Sequence, residues 1–245
     1  EELEKAYSFL NKHPAGCVIK PANGTSHGDG ITTHIKTNYE ARKAVILASL
    51  YCPDILMEPQ VPGECYRLLI LNGKMIHAVR RKGIHVRGDG VSTVLELVSA
   101  ESSLFNSQQK QSVKNDRDCL FNLAMQNLSF DSVPAKDQAV LLRSAGNISD
   151  ANVEVRTIYN EIVTDIICDE IKTCAEKAAR TLNSEFVGVD IITADPTVPL
   201  EKSGGVVDEV NTTPGLHHHF NSKDEKFPQA AVQALSILLN KSKAY

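Results

Sequence analysis

The sequence predicts an α+β protein with substantial antiparallel sheet, and three observations predict it. Two apolar-rich runs, 66–71 and 74–80, are joined by Asn72-Gly73, the pair that supplies both positive-φ positions of a type I′ turn and hence a two-residue hairpin. Apolar residues recur at helical spacing at Leu3, Ala6, Tyr7 and Leu10, and again from Ile158 to Leu182. Between such stretches lie short strand-like runs bounded by Gly, Pro and Asn.

Taken in order, 1–12 reads as a helix ended by Pro14 and Gly16, and 17–20 as a short buried strand stopped by Pro21. The polar Gly-rich loop 23–30 follows, then a strand over 31–35, a helix over 39–50 and a strand over 55–57. Pro59 and Pro62 hold the next segment extended, because the residue before a proline is pushed out of the helical region. After the hairpin comes a second polar Gly-rich stretch, Val86-Arg87-Gly88-Asp89-Gly90, and residues 101–136 read as outer helices and loops. Ile158, Ile162 and Ile166, with Val163, Ile167, Ile171, Cys174, Ala178 and Leu182, predict one long amphipathic helix with an isoleucine stripe in the core. Strands over 187–192 and 205–211 follow, and Pro228 suits the first turn of a closing helix through Leu239.

Composition excludes several classes. Twenty-six basic against 30 acidic residues give a formal charge of −4, and 42% hydrophobic with 23% charged residues is ordinary globular usage. A nucleic-acid-coating surface is therefore disfavoured, and 5% aromatics without Trp argue against a base-stacking platform. No apolar stretch approaches the roughly 20 residues that span a bilayer. The six cysteines form no CxxC pair and are read as reduced thiols of a cytoplasmic protein.

No G-x-x-x-x-G-K-[ST] and no G-x-G-x-x-G after a strand is present, so P-loop and Rossmann chemistry are unsupported. The loop 24–30 still has what a phosphate cover needs: glycines that permit close backbone approach, and Lys20 as a point charge at the end of the preceding strand. A plain surface turn is the competing reading. Glu209 and Asn211 alternate along one strand and so share a face; if the strand carrying Gly188-Val189-Asp190 is its neighbour, Asp190 completes an all-oxygen cluster suited to Mg²⁺ or Mn²⁺. Glu58 and Glu64 bracket an extended segment that can offer backbone groups to an adenine edge and a carboxylate to ribose hydroxyls. His217-His218-His219 is open to a substrate-contacting loop or a solvated one, and His27 to a phosphate contact or an exposed loop position.

The succession Val18-Ile19-Lys20-Pro21, the Gly-rich loop, Glu58-Pro59-Gln60-Val61-Pro62-Gly63-Glu64-Cys65-Tyr66-Arg67 and Asp208-Glu209-Val210-Asn211-Thr212-Thr213-Pro214-Gly215 resembles the ATP-grasp superfamily. Arg81 with His85-Val86-Arg87-Gly88-Asp89-Gly90, Leu142-Arg143 with Gly146-Asn147-Ile148-Ser149, and Gly188-Val189-Asp190-Ile191 narrow the resemblance to the ATP-grasp domain of cyanophycin synthetase and related carboxylate–amine ligases. The resemblance implies two α+β lobes enclosing ATP, a smaller one over 1–61 and a larger one over 62–245. It assigns ATP to Lys20, Gly24, Gly28, Gly30, Glu58, Gln60, Val61 and Glu64, and Mg²⁺ to Asp190, Glu209 and Asn211. Arg67, Arg81 and Arg143 would act on the transferred phosphoryl group or the substrate, and Asn147 and Ser149 would face the substrate. Asn147-Ile148-Ser149 runs into Asp150-Ala151-Asn152 rather than small residues, so the substrate loop is expected to differ.

The activity implied is ATP-dependent joining of a small-molecule or peptide carboxylate to an amine, with no nucleic-acid or membrane partner and a homo-oligomer left open. A nucleotide-binding regulatory module without turnover and a kinase on the same scaffold are the alternatives. The start at Glu1, without the subdomain that precedes this region or the Mur-ligase-like domain that follows it in cyanophycin synthetase, suggests a portion of a larger enzyme.

Overall fold

A computed structural model of the chain describes residues 2–24, 30–81, 83–100, 113–143, 160–219 and 229–242. It divides into two compact units, Glu1–Gln60 with Gly83–Val155, and Val61–Lys82 with Arg156–Tyr245. The boundary after Gln60 lies within the extended Pro59–Pro62 segment, and Gly83–Val155 groups with the first unit.

In the first unit β1 (Cys17–Pro21) lies between β2 (Thr32–Ile35) and β3 (Ile55–Pro59), antiparallel to both. Cys17 and Ile19 point to the face that packs on α1 (Glu2–Lys12) and α2 (Asn38–Ser49), forming a core with Leu10, Ile35, Ala41, Ala44 and Ala48. The helix α2 starts where Thr37 and Glu40 form a reciprocal cap, the Thr37 hydroxyl accepting from the Glu40 N–H and the Glu40 carboxylate from the Thr37 N–H. A two-stranded ladder of β6 (Ile84–Arg87) and β7 (Ala139–Arg143) completes the unit with α3 (Val94–Ala100) and α4 (Arg117–Met125). Gln126 ties α4 to β7 through both amide atoms, donating to the Leu141 carbonyl and accepting from its N–H.

The second unit is a five-stranded antiparallel sheet in the order β10 (Val206–Asn211), β9 (Phe186–Thr193), β4 (Glu64–Leu71), β5 (Lys74–Arg81) and β8 (Glu161–Ile162). The predicted hairpin is there, with φ of 50° at Asn72 and 72° at Gly73. Period-two alternation sends Tyr66, Leu68, Ile70, Ala78, Val187, Val189 and Ile191 to one face, where they pack on α5 (Asp169–Thr181) through Ile171, Ala175 and Ala179. A β-bulge between Val207 and Glu209 leaves Asp208 without an opposite residue on β9. The short α6 (Leu200–Ser203) joins β9 to β10, and α7 (Gln229–Ser242) is the closing helix.

The long helix from Ile158 is corrected. Residues 161–162 pair with Val79 and Arg80 as an edge strand, 164–166 form a 3₁₀ turn, and the helix begins at Asp169. The Thr164 hydroxyl accepts from the Ala78 N–H, which ties this segment to the sheet edge. Ile162 is 57% and Ile166 49% exposed, so the core stripe is Val163, Ile167, Ile171, Ala175 and Ala179 instead. Ile158 lies outside the described residues. No helix among the described residues is long and apolar enough to cross a membrane.

Candidate active site on the five-stranded sheet

The face of the sheet opposite α5 carries the charge. Arg67 on β4 lies opposite Asp190 on β9, Asp190 lies opposite Glu209 on β10, and Cys65 lies opposite Arg81 on β5. In the next row Asn211 lies opposite Gly188, Gly188 opposite Leu69, and Leu69 opposite His77. Directly opposed residues share a face, so four strands present Arg67, Arg81, Asp190, Glu209, Asn211 and His77 together.

Arg67 and Asp190 are 6% and 3% exposed. The guanidinium grips both carboxylate oxygens: Nε donates to Oδ1, and Nη2 donates to Oδ2 at 2.6 Å. Arg81 Nη1 stands 3.6 Å from the same Oδ2. Burial opposes the Arg67 charge, but the hydrogen bonds and field of Asp190 outweigh it and hold the Arg67 pKa above its ordinary value. Burial, reinforced by Asp190, pushes the Cys65 thiol up to about 11, so it remains a thiol rather than a nucleophilic thiolate.

Gly188 makes the clasp geometrically feasible. A Cβ there would stand 3.1 Å from Arg67 Cδ and 2.9 Å from Pro214 Cβ, so the missing side chain is where the arginine crosses β9 and the turn after Asn211 folds back.

Asp190, Glu209 and the Asn211 amide make an all-oxygen donor set. Glu209 is exposed, while Asn211 Nδ2 is buried and meets no acceptor among the described residues. No three His, Cys, Asp or Glu side chains among the described residues are grouped to hold a metal. Two carboxylates and an amide fit a hard cation such as Mg²⁺, which keeps water and takes phosphate oxygens to complete its octahedron.

The other expected residues fall as follows. Lys20 forms an ion pair with Glu58 at 2.7 Å, across the first unit's β1 and β3. Gln60 Oε1 accepts from the His34 N–H at 2.9 Å, and Val61 starts the second unit. Gly24 and Gly30 both have φ of 74°; Gly28 and His27 lie outside the described residues. Glu64 takes a 2.7 Å bond from Arg80 Nη1, and in the alternation of β4 it belongs with Tyr66 rather than with Arg67. Arg143 ends β7 opposite Ile84, while Asn147 and Ser149 lie outside the described residues.

Two stretches take on structural roles. Asp89 accepts from the N–H groups of Val91 and Ser92 and from the Ser92 hydroxyl, which holds its carboxyl down at about 2, and Thr93 and Glu96 then cap α3 reciprocally. The Gly-rich segment is thus an Asx turn feeding a helix. The solvated alternative for the triple histidine is corrected: 216–219 form a 3₁₀ turn in which His218 and His219 are buried, and His219 Nδ1 lies 3.0 Å from His77 Nδ1. His77 was not singled out from sequence; its place in the row through Leu69 and Gly188 needs the register. Burial lowers its pKa.

No family model matches the chain. It is similar to a cyanophycin synthetase of Crocosphaera subtropica, 33% identical over 230 residues covering 89% of this chain and 25% of that protein. It is also similar to the glutathione biosynthesis bifunctional protein GshAB of Listeria monocytogenes, 28% identical over 209 residues covering 82% of this chain and 26% of that protein. Among solved structures, a bifunctional glutathione synthetase from Pasteurella multocida matches with a TM-score of 0.56 at 26% identity, over 98% of this chain and 32% of that one. The chain spans about a quarter of the length of the curated relatives it matches.

Proposed function

We propose that the chain belongs to the ATP-grasp superfamily and is the catalytic part of a cytoplasmic, Mg²⁺-dependent ligase that activates a carboxylate with ATP and joins it to an amine. The observation that carries this reading is the Arg67–Asp190 pair flanked by Arg81, Glu209 and Asn211 on one sheet face. Relatives that form C–N bonds with ATP support the reaction class.

In the first step an oxygen of the substrate carboxylate attacks the γ-phosphorus of ATP, the bond to the β-bridging oxygen breaks, and ADP leaves. In the second the amine attacks the acyl carbon, phosphate departs with the C–O bond pair, and the nitrogen gives up a proton. Asp190, Glu209 and Asn211 would hold Mg²⁺, which when bound offsets phosphate charge. Arg67 and Arg81 supply fixed positive charge, which a phosphoryl transfer with little covalent demand on the protein requires. Lys20 and the loop 24–30 are proposed for phosphate contact, Glu58, Gln60 and Val61 for adenine, and Glu64 for ribose. Arg143, Asn147 and Ser149 are proposed for the carboxylate or amine substrate.

The test is phosphate release by the full-length protein over a panel of amino acids and short peptides, with and without Mg²⁺. Release of ADP and phosphate that requires both an acid and an amine is expected. Phosphate release indifferent to every acid and amine overturns the ligase reading, and ADP formation without free phosphate points to a kinase.

A further inference from the structure

The metal assignment meets an obstacle in the geometry. Asp190 is nearly sealed from solvent, and both its oxygens are engaged: Oδ1 by Arg67 Nε, Oδ2 by Arg67 Nη2 at 2.6 Å, with Arg81 Nη1 3.6 Å away. A cation using Asp190 must either displace a guanidinium held by two charge-assisted bonds or take the remaining lone pairs of a buried carboxylate against the charges of Arg67 and Arg81. Two guanidiniums, Arg67 and Arg81, stand against Asp190 itself, so a free cation approaching that carboxylate meets positive charge beside it. Deprotonation cannot release the clasp, because an arginine keeps its proton at any working pH. A competing anion can. Phosphate oxygens present the same planar pair of acceptors to a guanidinium as a carboxylate does, and a polyphosphate brings several at once. The same anion supplies oxygens that a hard cation takes alongside a freed carboxylate.

We propose that Arg67 makes the metal site conditional on the nucleotide: without phosphate it occupies Asp190, and a divalent cation gains that carboxylate only when a polyphosphate draws the guanidinium away. This rests on the proposed assignment of Asp190, Glu209 and Asn211 to the metal. It makes Arg67 a positioning residue for the cation as well as a phosphate contact. Glu209, exposed on the neighbouring strand, is the ligand that remains accessible in either state.

Mn²⁺ binding to the nucleotide-free full chain, read by the loss of the free-ion electron paramagnetic resonance signal, tests it. Arg67→Met should bind Mn²⁺ about tenfold or more tightly than the wild type, because removing one guanidinium both frees Asp190 and leaves the patch anionic. Glu209→Gln added to that variant should abolish the gain. A wild type that binds Mn²⁺ as tightly as Arg67→Met, with Glu209→Gln removing the binding in both, overturns the inference while the metal assignment stands. No binding to either protein, by the free-ion signal without tripolyphosphate and by equilibrium dialysis of Mn²⁺–tripolyphosphate against a protein-free blank, overturns the metal assignment and the inference with it. Should Arg67→Met fail to fold, the wild type decides through its arginine Nε–H resonances. The one assigned to Arg67 should survive millimolar Mg²⁺ and shift on addition of tripolyphosphate; a shift on Mg²⁺ alone overturns the inference.

Discussion

Arg80 and Arg81 are neighbours in the chain but take part in two different kinds of electrostatics. Arg80 reaches to the rim of the sheet, where Nη1 bonds Glu64 at 2.7 Å and Nε bonds Glu161 at 3.2 Å among half-exposed and exposed side chains. Arg81, one residue on and therefore on the other face, leans toward Asp190, whose oxygens Arg67 already holds out of water. The rim network is geometrically good but solvated, and solvated pairs contribute little because water and salt compete for them. The buried clasp gave up its hydration to form, so each partner depends on the other to avoid standing as an isolated buried charge.

That contrast predicts a ranking. Asp190→Ala should lose about 3–5 kcal/mol in urea denaturation, since it strands the Arg67 charge, and should abolish metal-dependent ATP turnover; a loss below about 1 kcal/mol would mean that the guanidinium finds water. Leu68→Ala, on the apolar face, should cost about 2–5 kcal/mol through a cavity against α5, while ATP turnover per folded molecule holds. Equal damage to turnover from Leu68→Ala and Asp190→Ala would erase the functional distinction between the faces.

Gly188→Ala places a methyl 2.9 Å from Pro214 Cβ and 3.1 Å from Arg67 Cδ. About 1–3 kcal/mol of destabilisation is expected, with a fall in kcat exceeding that of an alanine at an outer glycine such as Gly204. Glu161→Gln removes a rim partner and should change stability by less than about 1 kcal/mol, with the difference vanishing in high salt; a salt-insensitive loss would show the rim to be as dry as the clasp. The smallest effect is on pH dependence. Burial lowers the His77 pKa from its ordinary 6.5, so on acidification the unfolded chain takes up this proton first. The stability due to His77 therefore falls as pH drops below about 6.5 and levels off once the folded pKa is passed. His77→Gln should flatten that part of a melting-temperature profile.

What the sequence made legible was local. Asn72-Gly73 encodes its turn in two residues, and the alternation of Glu209 with Asn211 needs only the strand's own period. The pairing of Arg67 with Asp190 is 123 residues long, and no local pattern registers two strands so far apart. Gly188 is legible from sequence only as part of the Gly188-Val189-Asp190-Ile191 run, and the reason for a glycine there appears once Arg67 is known to cross it. The helix from Ile158 failed for the opposite reason: isoleucines spaced by four satisfy the helical period, but 161–162 found an open sheet edge beside Val79 and Arg80. Lys20 and Glu58 were separately legible as charges, yet that they form an ion pair with each other follows only from the β1–β3 register.

The bulge in β10 has a consequence for how this strand can be edited. Val206 and Val207 pair with Ile192 and Ile191, and Glu209, Val210 and Asn211 pair with Asp190, Val189 and Gly188, so Asp208 is the one supernumerary residue between two ladders that already share a reading frame. Excising Asp208 would splice Val207 to Glu209 and keep every cross-strand partner on both sides. Excising Val210 instead would bring Asn211 opposite Val189, turning its amide toward α5. Two deletions of the same size, two residues apart, thus differ in kind: one shortens the strand's detour, and the other rewrites which chemistry it displays.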